Sequence, residues 1–111
     1  MRLNPEWAVG IAASIAAMCP KVAYELYLVG SRTDDSALGG DIDLLVRADT
    51  ASQEAAIRQV KERILNKIKA AIGDQRVDLT IASAERVDSD PVLAHMMITA
   101  IRLDEGRNDS G

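Results

Sequence analysis

Asp41-Ile42-Asp43-Leu44-Leu45-Val46, preceded at a short distance by Gly30-Ser31-Arg32, is the stretch on which the fold of this chain turns. It reads as a strand, since branched apolar residues dominate it and its two aspartates are separated by one residue. Successive strand side chains point to opposite faces, so both carboxylates project from the same face, roughly 6–7 Å apart. Upstream, the segment 24–29 (YELYLV) is rich in strand formers and runs straight into Gly30-Ser31. The Gly-Ser turn therefore lies at the carboxyl end of a strand, where α/β folds place phosphates.

Two carboxylates held this close on a largely apolar strand repel one another, and a counter-charge is needed to make the pair favourable. A divalent cation is the natural one, because Mg²⁺ takes oxygen ligands from one or two carboxylates together with substrate phosphates and water. A third carboxylate has one good candidate in Asp78, inside Arg76-Val77-Asp78-Leu79-Thr80-Ile81, a further strand-like run. If that strand pairs beside the Asp41/Asp43 strand, the three carboxylates converge.

Outward from this centre the elements follow in order. Asn4-Pro5 supplies an N-cap and a proline at the first helical position, and Ile11, Ile15 and Met18 recur at helical spacing up to Pro20, which predicts a helix over 5–18. The Gly-Ser turn predicts a short helix ended by Gly39-Gly40, its N-terminal amides facing any bound anion. A strand over 41–47 leads to Thr50 and Gln53, a capping pattern. One long helix is predicted from there, with Ile57, Val60, Ile64, Ile68 and Ile72 along one face and Gly73 as its stop. A third strand is expected over 75–82, and a last helix from Asp90-Pro91 through 102. Trp7, Leu93, Met96, Met97 and Ile101 are read as packing on the sheet, Cys19 as a buried thiol and His95 as structural or exposed.

With 111 residues the chain has room for one domain, read as 1–103 with a polar tail over 104–111. Its net charge of −4 argues against an extended nucleic-acid-binding face, which needs clustered Lys and Arg. The single Cys19 allows no internal disulfide, and no leader-like segment or membrane-length apolar run is seen, so a cytoplasmic protein with no membrane association is expected.

Gly30-Ser31, Asp41-x-Asp43 and Asp78, in this order of strand, turn, strand, long helix and strand, resemble the nucleotidyltransferase superfamily related to DNA polymerase beta. The resemblance is nearest to its minimal, single-domain members and covers roughly residues 22–82. It implies an α+β nucleotidyltransferase fold: a small mixed sheet with helices packed mainly on one face. It also implies that Gly30 and Ser31 hold a nucleoside triphosphate, that Asp41 and Asp43 bind two Mg²⁺ ions, and that Asp78 completes the metal site and helps activate an acceptor hydroxyl. Arg32 is placed to reach the triphosphate or the leaving pyrophosphate. Two details depart from the commonest pattern. Gly40, not Ser, precedes Asp41, and the loop Thr33-Asp34-Asp35-Ser36-Ala37-Leu38-Gly39 has two acids and no basic residue after Arg32, which weakens its electrostatic fit to a polyphosphate.

The activity this implies is transfer of a nucleoside monophosphate, AMP from ATP or its equivalent from another nucleoside triphosphate, to a hydroxyl. Small members of the family are encoded with helical toxins of the HEPN ribonuclease type, and some act as antitoxins by adenylylating a toxin tyrosine. By resemblance such a toxin is the expected partner and acceptor, with a homo-oligomer left open. The alternative is an antitoxin or binding module that keeps the fold and acts by contact alone. An aminoglycoside-type small acceptor is a third reading, weakened by the lack of room for a second domain.

Overall fold

The computed structural model describes residues 4–30 and 42–104. Helix α1, Pro5–Met18, begins where the Asn4 side chain accepts the Glu6 amide at 2.8 Å, and it closes with the Cys19 amide on the Ile15 carbonyl at 2.9 Å. This is the capping expected from Asn4-Pro5. Strand β1, Tyr24–Val29, pairs antiparallel with β2, Ile42–Ala48, and β2 pairs parallel with β3, Val77–Ser83.

The predicted long helix is two helices, α2 (Ala51–Gln59) and α3 (Lys61–Ile72). Its ends follow the sequence: the Thr50 hydroxyl accepts the Gln53 amide at 3.2 Å, and Gly73 stops α3 at φ 87°. The break is at Val60, whose amide turns to the Ile57 carbonyl three residues back, at 3.1 Å, tightening the helix by a turn of 3₁₀ type. The two halves then serve different neighbours. α2 lies along β3, where Arg58 donates to the Ile81 carbonyl at 2.6 Å and Glu54 accepts the Ser83 amide at 2.8 Å, while α3 packs on α1.

Beyond β3 the chain makes a helix the sequence reading missed, α4 (Ala84–Ser89), its first turn capped by Ser83. The last helix, α5 (Pro91–Ile98), starts on the Asp90 cap as expected but stops well short of residue 102. Ile101–Arg102 instead form a short strand, β4, antiparallel to the free side of β1. There Ile101 packs against the main core and Arg102 reaches back to Asp104 at 2.7 Å. Asp104 is itself buried, so it belongs to the fold and does not begin a polar tail; the rest of the predicted tail, 105–111, lies outside the described residues.

The result is a mixed α+β fold around a four-stranded sheet in the order β3-β2-β1-β4. The period-2 alternation of β2 divides its side chains between two layers. Ile42, Leu44, Val46 and Ala48 enter the main core with Ile11 and Ile15 of α1, Ile57 of α2 and Ile64, Ile68 and Ile72 of α3. Leu45 faces the other way, into a smaller cluster with Val29, Ala82, Val87 and Leu93 under α4 and α5. One face thus carries the larger helical layer, and the other is covered only in part. None of the described helices is long and apolar enough to cross a membrane.

Candidate functional site

Asp43 is the second residue of β2 and lies on the face that α4 and α5 cover only in part, the face it shares with Leu45 and Arg47. The parallel register sets Asp43 level with Asp78, the second residue of β3. Adjacent strands lie about 4.8 Å apart, and residues level with one another point to the same face, so the two carboxylates are immediate neighbours. Asp43 is half-buried and Asp78 exposed, which puts the pair at the rim of the sheet.

The end of β1 completes this rim. Val29 is level with Asp43 on the antiparallel side, and Gly30 follows with φ 76°, a left-handed conformation that favours glycine. A Cβ at Gly30 would run into the Asp43 carboxylate, and would lie 3.2 Å from both its Cβ and Cγ. Glycine here lets the backbone approach Asp43 directly, and Gly30 and the two strands meet at one corner.

Asp41, Ser31 and Arg32, and the short helix expected to end at Gly39-Gly40, lie outside the described residues. Among the described residues there is no group of three or more His, Cys, Asp or Glu side chains able to hold a metal ion. What the described corner offers is two carboxylates and no nitrogen or sulfur ligand, a donor set suited to a hard cation such as Mg²⁺, which commonly takes just one or two protein carboxylates. His95 is exposed on α5 and Cys19 is buried, its thiol pKa pushed up by that burial; neither belongs to this corner.

The same sheet face holds a second polar group that the sequence reading did not find. Glu25, level with Arg47, accepts the Tyr27 hydroxyl at 2.7 Å and pairs with Arg47 at 3.2 Å and with Arg102 at 3.7 Å. Burial, and then the bond to Glu25, push the Tyr27 phenol pKa up, while the Arg102 guanidinium is held charged by Asp104. A cavity of about 450 Å³ opens beside this group, lined by Tyr27, Arg47, Val87, Asp88 and Met97 among others. It is at the opposite end of the strands from Asp43 and Asp78, so it is not the corner to which the motif points. The alternation of Glu25 and Tyr27 in β1 was a visible signal, but their partners become legible only once the hairpin register is known.

No protein-family model matches this chain, and no curated protein matches it.

Proposed function

We propose that this chain is a minimal nucleotidyltransferase that moves a nucleoside monophosphate onto a hydroxyl of a partner protein. The observation that carries the proposal is the level pairing of Asp43 with Asp78, with Gly30 pressed against Asp43 at the end of the neighbouring strand. A cation with its bound phosphates would take two carboxylates level across a strand pair as oxygen ligands and offset the repulsion between them. The resemblance supplies the rest: Asp41 as the other ligand of the Asp-x-Asp pair, Ser31 and Arg32 as triphosphate contacts, AMP from ATP as the group transferred, and a HEPN-type toxin as the acceptor.

In this reading the acceptor oxygen attacks the α-phosphorus, the bond from that phosphorus to the pyrophosphate oxygen breaks, and pyrophosphate leaves with its electron pair. Asp78, the more exposed carboxylate, accepts the hydroxyl proton; Asp43, fixed by Gly30, orients the phosphate side of the site. Mg²⁺ held by Asp43 and Asp78, with Asp41, would neutralise the charge that builds up on the phosphate oxygens. Preorganised charge of this kind commonly contributes two to three orders of magnitude in rate, roughly 10²–10³ per group removed.

The test is transfer itself. Wild type, Asp43→Asn and Asp78→Asn proteins are incubated with Mg²⁺, α-labelled nucleoside triphosphates and the protein encoded beside this chain. Label on the partner with wild type, and none with either variant, is the expected result. A partner bound and neutralised equally by all three proteins, without label, would establish contact alone as the mode of action.

A further inference from the structure

Helix α5 is apolar on every side except at His95, and a helix of that kind is ordinarily buried all round. Here Leu93 alone is buried. Val92 is 67% exposed and Ile98 74%, two of the three large apolar residues that stand exposed among the described residues. Ala94, Met97 and Ile98 recur at helical spacing along one side of α5. Ala94 and Met97 line the cavity of about 450 Å³, together with Val87 and Asp88 of α4 and Tyr27 of the open sheet face. α5 thus has the composition of a covered helix, and its uncovered side adjoins a groove.

The charges about this groove are unbalanced. Glu25, Arg47, Arg102 and Asp104 neutralise one another in a single network. α4 and α5 hold no Lys, and their one Arg, Arg86, is taken by Glu54. Asp88, at the groove, and Glu85, one turn before it on the same side of α4, are paired with no described residue. The unmatched charge is therefore negative, beside an apolar stripe.

From this combination we infer that α4, α5 and the adjoining sheet face dock a basic amphipathic helix of a partner protein. Its apolar stripe would lie on Ala94, Met97 and Ile98, and its Lys or Arg residues beside Asp88 and Glu85. A helix laid in a groove binds through anchors about one turn apart, the spacing these three residues present. Tyr, Met and Arg, which meet here as Tyr27, Met97 and Arg47, are residue types enriched in interface cores. The inference is independent of the transferase reading, since a partner that is labelled and one held by contact alone would dock in the same way.

Other occupants meet the same acids. A second copy placed face to face about a twofold axis brings the identical patch, so acid meets acid. Residues 31–41 bring Asp34, Asp35 and Asp41 with one base, Arg32. An anionic membrane surface is repelled as well.

The experiment uses the whole isotope-labelled protein and two synthetic amphipathic helices with the same Leu stripe, one flanked by Lys and the other by Glu. Amide shifts locate binding, and titration gives affinity. Asp88→Lys and Ile98→Ser are the variants, both at exposed side chains. The expected result is shifts centred on Asp88, Ala94, Met97 and Ile98 with the Lys helix, and an affinity lowered about tenfold by either variant. Asp88→Lys should also lose the preference for the Lys helix over the Glu helix. Equal affinity of the wild type for both helices, shifts centred elsewhere, or no binding overturns the inference, and the wild-type comparison decides this without any variant. Shifts at Ala94 and Ile98 that follow protein concentration without peptide would assign the face to a second copy and overturn it. So would shifts of the same amides caused by Leu38→Ser alone, which would assign the cover to residues 31–41. No transfer chemistry enters the readout, so failure here leaves the transferase reading standing.

Discussion

Asp43 and Asp78 stand level with one another in adjacent parallel strands, one half-buried and the other exposed, so a like-charged pair is built into the rim of the sheet. Removing the exposed member of the pair, Asp78→Asn, should leave stability unchanged or raise it by about 0.2–1 kcal/mol in metal-free buffer. Denaturant melts with and without Mg²⁺ check this: added Mg²⁺ should stabilise the wild type and stabilise Asp78→Asn less.

Gly30 carries two constraints at once, a φ of 76° and the Asp43 carboxylate where a Cβ would sit. Gly30→Ala should cost about 1–2 kcal/mol from the backbone alone and displace Asp43 as well. Gly73→Ala is the control, since Gly73 has φ 87° but nothing within 4 Å of an added Cβ. Both variants should melt at lower denaturant, while the Asp43 and Asp78 resonances move in Gly30→Ala and stay in place in Gly73→Ala.

Glu54 joins α2 to the edge of β3 by accepting the Ser83 amide at 2.8 Å and pairing with Arg58 at 2.8 Å and Arg86 at 3.3 Å. Glu54→Ala leaves that amide without its acceptor and should destabilise the protein by about 1–3 kcal/mol. The hydrogen bond from Arg58 holds the Glu54 carboxyl below its ordinary value, with the Ser83 bond adding to the effect. A depressed folded-state pKa means that this stabilisation is present above the unfolded value, about 4.3, and is lost as pH falls through the lower folded value. Melts followed from pH 7 into this acid range should show a loss in the wild type that is absent from Glu54→Gln.

Cys19 is buried at the end of α1, and its thiol pKa is raised by that burial. Thiolate is the reactive form, so native protein should react with a thiol reagent far more slowly than denatured protein at the same pH. A rate in native buffer equal to that in denaturant would place Cys19 at the surface.

The parts of the corner formed by Gly30, Asp43 and Asp78 were legible because each is written locally: a glycine after a strand, and acids at strand positions of fixed alternation; their meeting follows from the parallel pairing of β2 with β3, which sequence distance leaves open. So were the caps at Asn4 and Thr50 and the stop at Gly73, each decided within a few residues. The break at Val60 was not legible, because it follows from α2 reaching β3 through Glu54 and Arg58 while α3 packs elsewhere. β4 escaped for a similar reason. Ile101-Arg102 continues the apolar pattern of α5, and only pairing with Tyr27 and Leu28 draws it into the sheet. The Glu25, Arg47 and Arg102 group depends on strand register and had no signature in sequence distance.

The most direct test of the central claim is paramagnetic broadening of backbone amides by Mn²⁺, an Mg²⁺ substitute, in the presence of a nucleoside triphosphate. The account predicts that Gly30, Asp43 and Asp78 broaden first, at Mn²⁺ levels that leave Glu25, Arg47 and Arg102 sharp, and that Asp43→Asn abolishes the effect. Equal broadening in Asp43→Asn, or broadening that begins around Glu25 and Arg47, would contradict a divalent-cation and nucleotide site at Asp43 and Asp78.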